Sequence, residues 1–178
     1  MTSIVWLRDD LRVSDNPALA AAIDRGEAII VVFILDEVSK GIRPLGGATK
    51  WWLHHSLVAL SDKVARLGGQ LILRQGAASD ILRNIIRETN ATAMFWNRRY
   101  GKPERDIDAG IKEYARASGL EVSSFQANLL YEPWTVRTGT GGPYTVFTPF
   151  WKSRLNSPTP PRLPIAAPSS IVAPDTQP

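Results

Sequence analysis

Two short runs without polar alternation, Ile4-Val5-Trp6-Leu7 and Ala28 to Leu35, limit the possible folds more than any other feature of this chain. A strand with one solvated face alternates apolar and polar side chains, whereas a strand covered on both faces reads as a continuous apolar run. Two such runs so near the N-terminus predict the central strands of a parallel sheet. The first leads into a polar turn, Arg8-Asp9-Asp10-Leu11-Arg12. A helix start follows, with Asp15 or Asn16 as N-cap, Pro17 at the first helical position and Ala18 to Ile23 behind it. A strand entering a helix through a charged loop opens a βαβ unit, and in open α/β sheets ligands bind at the carboxyl ends of such strands. This loop has no glycine, which argues against an ordinary G-x-G-x-x-G dinucleotide site.

The rest of the chain repeats the alternation. Gly26 closes the first helix, and residues 38–47 form a loop after the second strand. Ala48 to Leu67 has helical spacing, with Trp52, Leu53, Leu57, Leu60, Val64 and Leu67 expected in the core and Trp51 half-buried. Leu71 to Leu73 reads as a third strand. A helix opening at Ser79 or Asp80 turns Ile81, Leu82, Ile85 and Ile86 to one face. Thr92 to Trp96 reads as a fourth strand, Glu104 to Ala117 as a helix and Glu121 to Phe125 as a fifth strand. This predicts an α/β fold: a doubly wound, five-stranded parallel sheet in the order 3-2-1-4-5, Rossmann-like but without a GxGxxG loop.

That order sets the first and fourth strands side by side, so their loops, Arg8–Arg12 and Asn97–Glu104, should share one crevice. Arg8, Asn97, Arg98, Arg99, Tyr100 and Glu104 are therefore the candidate binding residues. The Tyr100 ring suits stacking on a planar ligand, and the Glu104 carboxylate suits the amine edge of a heteroaromatic ring. Plainer roles stand beside these. Arg8 and Arg12 have Asp9, Asp10 and Asp15 as salt-bridge partners, and Glu104 at a helix start complements the dipole. Asp9 and Asp10 are adjacent and have no acid–base partner in sight, so loop solvation is the better reading. No catalytic residue and no metal site are expected; two histidines in mid-helix, His54 and His55, are too few for one.

Composition narrows the class. The chain has 178 residues, 44% hydrophobic and 21% charged, enough for a substantial core. It has no cysteine, which excludes disulfides and thiolate metal sites and suits a reducing cytoplasm. The N-terminus does not read as a signal peptide, and no run approaches the roughly 20 apolar residues of a membrane span. Net charge is +4, concentrated at the end: residues 133–178 carry Arg137, Lys152, Arg154 and Arg162 against Asp175. That permits contact with a polyanion without demanding it.

The last part differs from what precedes it. Gly139, Gly141 and Gly142 mark a flexible loop, and Thr148-Pro149 starts a short helix. Tyr144, Val146, Phe147, Phe150 and Trp151 form an apolar cluster, expected to pack that helix onto the sheet or against a further domain. Beyond Asn156 lie seven of the thirteen prolines. This predicts a domain over 1–155 and an extended, proline-rich linker over 156–178 outside the core.

Two segments carry a resemblance. W-L-R-x-D-L-R-x-x-D-N-x-A-L at Trp6 to Leu19, together with G-x-P-Y-x-V-F-T-P-F-W at Gly141 to Trp151, resembles the DNA photolyase/cryptochrome family. The resemblance implies the N-terminal antenna-binding α/β domain, with the flavin-binding helical domain beyond the linker and absent from this chain. It implies that the full-length protein uses reduced FAD and light to repair cyclobutane pyrimidine dimers in damaged DNA, while this fragment alone is inactive. It also implies an antenna, methenyltetrahydrofolate or a deazaflavin. Folate-type members carry Asn-Glu where this chain has Pro103-Glu104, and deazaflavin-type members carry an acidic residue near the place of Arg99; folate is the closer match. A monomer or weak self-association and no membrane contact are expected. The alternatives are a cryptochrome photoreceptor and a free-standing adenine-nucleotide-binding module of the stress-protein kind.

Overall fold

A computed structural model describes residues 1–158, 160–175 and 178. Among the described residues the apolar runs become five parallel strands, β1 (Thr2–Leu7), β2 (Ala28–Leu35), β3 (Leu71–Gln75), β4 (Ala93–Asn97) and β5 (Glu121–Phe125). They pair in the order β3-β2-β1-β4-β5, with Trp6 beside Val32 on one side and Trp96 on the other. Between them lie α1 (Pro17–Asp24), α2 (Gly47–Arg66), α3 (Ala78–Thr89) and α4 (Lys102–Ala117); α5 (Phe147–Leu155) follows β5.

Alternate residues of each strand serve opposite faces. Ile4 and Trp6 of β1 join Ile30, Val32, Met94 and Trp96 under α3 and α4. Val5 and Leu7 join Ile29, Val31, Phe33 and Phe95 under α1 and α2. Burying each such side chain contributes about 2 kcal/mol, so both faces of β1 and β2 are closed by the same logic that removed polar residues from their sequences. Asn16 proves to be the N-cap of α1, its Oδ1 accepting from Leu19 N at 3.1 Å. Asp15 takes a left-handed backbone instead, φ 50°.

Two expectations require correction. Trp52 was placed in the core, but it is 71% exposed, and Trp51 is 63% exposed. Leu53, Leu57, Leu60 and Val64 recur at spacings of four, three and four, and define the inward stripe; Trp52 lies one residue, about 100°, off it. The proline-rich end was placed outside the core, yet Ile171 is 4% exposed and packs with Val64 over Gly69. Its backbone N–H donates to Leu67 O, the Val172 carbonyl accepts from Ile29 N, and Ile165 exchanges bonds with Asp15. Prolines kept this segment extended, but extended backbone still pairs where its few N–H groups meet loop carbonyls.

The described residues form two compact units, 1–128 with 165–178, and 129–164. In the second unit, Phe147 stacks on Trp151 at 6.2 Å and Tyr144 meets Phe150 at 6.1 Å. Val146, Phe147 and Trp151 are all exposed. Thr159, Thr176 and Gln177 of the expected linker lie outside the described residues.

Candidate functional site

The strand order brings the turns after β1 and β4 together, and polar side chains lock them. Asn97, the last residue of β4, is buried and donates from Nδ2 to Asp10 Oδ2 at 2.5 Å and to Asn16 Oδ1 at 2.8 Å. Its Oδ1 accepts from Ala18 N at 3.2 Å. One amide thus ties β4, the β1 turn and the start of α1. Arg8, at the end of β1, is buried as well; it donates to Asn97 O and forms an ion pair with Asp108 of α4. Burial pulls the Arg8 guanidinium below the ordinary arginine value, Arg99 adds to that effect, and Asp108 and Asp10 oppose it.

Asp108 is the hub of this corner. It receives Arg8, accepts from Trp96 Nε1 at 3.1 Å, and lies 3.9 Å from Arg99 Nη2. The Arg8 guanidinium sits 4.2 Å from the centre of the Trp6 ring and that of Arg99 5.8 Å. Trp6 Nε1, Arg8 Nε and Arg99 Nε are sealed from solvent and have no hydrogen-bond partner among the described residues.

Around this corner the surface opens. A polar hollow of about 450 Å³ is lined by Asp9, Arg12, Arg99, Tyr100, Glu104 and Asn128. A second, of about 230 Å³, lies over the carboxyl ends of β1 and β2 and includes Trp6, Asp36, Arg43, Arg99 and Glu104. A third, of about 330 Å³, is apolar, with Leu11, Trp52 and Leu53. The second and third share Arg8, Asp9, Phe33 and Leu45, so they are the polar and apolar halves of one groove.

The loop between β2 and α2 forms one side of this groove through Ile42, Arg43 and Leu45. Two contacts hold it. Asp36 accepts from Val38 N, Ser39 N, Ser39 Oγ and Ala78 N. Burial opposes its charge, but these four bonds overcome it and hold the carboxyl below the ordinary aspartate value. Gly41 has a left-handed backbone, φ 85°, and any Cβ there would lie 3.1 Å from the Pro103 ring.

The same fold is found in known proteins. Residues 3–169 match the family model for DNA photolyase. The chain belongs to the DNA photolyase family. It is 47% identical to the deoxyribodipyrimidine photo-lyase of Agrobacterium fabrum, over 98% of this chain and 36% of that one. It is 38% identical to Cryptochrome-1 of Arabidopsis thaliana, over 97% of this chain and 25% of that one. Among solved structures, a bacterial class III photolyase from Agrobacterium tumefaciens superposes with a TM-score of 0.92 at 46% identity, covering 99% of this chain and 36% of that one. The chain therefore spans about a third of the length of these photolyases.

Within this family framework, the sequence candidates divide. Arg8, Arg99 and Glu104 line the groove, and Arg99, Tyr100 and Glu104 line the open polar hollow. Asn97 and Arg98 line neither: Asn97 is the keystone of the loops, and Arg98 bonds Ser124 O on β5. The Glu104 carboxylate also covers the bare start of α4, lying where a Cβ of Gly101 would be. Sequence reasoning missed Asp108, Phe33 and Leu45, and placed Trp52 in the core instead of the groove wall. Only Asp108 left a signal, four residues after Glu104 and so on the same helix face.

Proposed function

We propose that this chain is the antenna-chromophore domain of a photolyase-length protein, and that the groove over β1 and β2 holds the chromophore. The observation that carries this reading is the division of the groove into a polar and an apolar half joined at Phe33 and Leu45. A folate-type antenna has that division, a polar pterin joined to an aryl arm. In the polar half, Glu104 accepts from an amine edge, while Arg43 and Arg99 supply donors to ring carbonyls. In the apolar half, Trp52, Leu53 and Leu11 supply apolar contact for the aryl arm. Ile42 and Leu45 exclude water from the ring faces. When bound, the antenna contributes absorption of near-ultraviolet to blue light and passes the excitation on. The domain's task is to hold it in one orientation.

Light-driven repair of cyclobutane pyrimidine dimers, with FAD and damaged DNA as the other participants, is proposed for the photolyase-length protein in the cytoplasm; no residue here is assigned to either. The 38% identity to Cryptochrome-1 of Arabidopsis thaliana supports a second reading, a blue-light photoreceptor, which a dimer-repair assay of the photolyase-length protein distinguishes. The first test is reconstitution with 5,10-methenyltetrahydrofolate, in parallel with 8-hydroxy-5-deazaflavin, followed by gel filtration. The expected result is a retained, red-shifted near-ultraviolet band for the folate. Retention of neither compound, by this chain or by the photolyase-length protein, overturns the antenna reading; retention of the deazaflavin alone overturns its folate form.

A further inference from the structure

Two tryptophans meet edge-to-face at the corner of the groove, 6.1 Å apart, with different polar groups against each. Both are 1% exposed. Trp96 donates its indole N–H to the Asp108 carboxylate. Trp6 has the guanidinium groups of Arg8 and Arg99 4.2 and 5.8 Å from its ring centre, and its N–H faces no acceptor among the described residues. Only Trp6 of this pair lines the groove.

We infer that Arg8 and Arg99 guard Trp6 against one-electron oxidation, so that the tryptophan beside the groove does not quench an excited ligand held there. Oxidation moves one electron from the indole to an oxidant and leaves a positive charge on the ring. Two fixed positive charges close to the ring, with the one Asp108 carboxylate shared between them, oppose that charge directly. An indole radical cation is also stabilised by giving up its N–H proton, and Trp6 has no acceptor for it. Trp96 has one in Asp108, whose negative charge also favours a positive ring. The pair is therefore ordered, with Trp96 the easier to oxidise and Trp6 the harder. A heteroaromatic ligand in its excited state is a strong oxidant, so an unguarded indole in the wall of its site would drain the excitation before it could be passed on. The guarding role rests on the antenna reading for its purpose, but the ordering of the two tryptophans does not.

The first test needs no ligand. Azide radical, generated by pulse radiolysis, takes one electron from tryptophan and becomes azide ion. Oxidised tryptophan is then counted by mass spectrometry in the tryptic peptides 1–8, which holds Trp6, and 88–98, which holds Trp96. In the unaltered chain, oxidation should fall on Trp96 far more than on Trp6. Arg99→Gln should raise oxidation at Trp6 about tenfold, the rate change that 1.4 kcal/mol brings, and Arg99→Lys should restore the low value. Equal oxidation of the two tryptophans in the unaltered chain, or the same value in Arg99→Gln and Arg99→Lys, overturns the inference. The second test reads the fluorescence lifetime of bound methenyltetrahydrofolate, expected to shorten in Arg99→Gln and to recover in the Arg99→Gln, Trp6→Phe double variant. Failure of folate to bind at all counts against the antenna reading and leaves the azide result to decide this one.

Discussion

The two ends of the sheet treat their polar groups differently. At the amino end, Glu27 accepts from Ser3 Oγ at 3.0 Å, from Thr92 Oγ1 at 2.9 Å and from Arg25 Nη2 at 2.9 Å, and Arg25 continues to Glu121. That network joins the starts of β1, β2, β4 and β5. At the carboxyl end, Trp6, Arg8 and Arg99 each keep a sealed nitrogen with no partner among the described residues. A buried donor left without an acceptor costs about 1–3 kcal/mol. Three such groups gather at the end of the sheet where the groove opens. The amino end holds strands together; the carboxyl end is held poised, as sites for ligands are.

Asn97 is the exception, a saturated group at the poised end, and it should give the largest effect. Replacing it with alanine leaves Asp10 Oδ2 and Ala18 N without this partner and takes one of two donors from Asn16 Oδ1, and is expected to cost about 3 kcal/mol by urea unfolding. A loss below about 1 kcal/mol would show that the two turns hold their places without it. Glu27→Ala comes next, with about 2 kcal/mol lost and methenyltetrahydrofolate retention unchanged, since the groove lies at the other end. The hydrogen bond from Arg25, aided by those from Thr92 and Ser3, holds the Glu27 carboxyl below its ordinary value of 4.5. Its contribution to stability is therefore complete above about pH 4.5 and is lost as the pH falls through the lower folded value. Acid titration followed by circular dichroism should show a shallower loss below that pH in Glu27→Gln. The smallest effect on stability belongs to Trp52→Ala, under about 0.5 kcal/mol for so exposed a side chain, with folate retention weakened about tenfold.

Most of the scaffold was legible because burial on both faces leaves a plain mark. β2 lies over Ala28–Leu35, the bounds its uninterrupted apolar run predicted. The strand order followed from alternation and crossover handedness. The phase of α2 was harder to read, because adjacent Trp51, Trp52 and Leu53 offer more than one apolar stripe and only packing selects among them. The site was legible to the extent that strand ends carry it: Arg8 and Arg99 stand where the loops predicted. What each side chain does there was not, because Asn97 and Arg98 meet partners 81 and 26 residues away. Asp108 is joined to Arg8 across 100 residues, a pairing that no local pattern signals.

The measurement that bears most directly on the contrast between the two ends is an absorption titration of methenyltetrahydrofolate into four proteins: the unaltered chain, Glu27→Ala, Trp52→Ala and the Trp52→Ala, Arg99→Gln double variant. A saturable red-shifted band should form in the first two, weaken in the third and vanish in the fourth, with the urea midpoint reduced only in Glu27→Ala. An undiminished band in the double variant, or one abolished by Glu27→Ala, would contradict the placement of the chromophore at the carboxyl end.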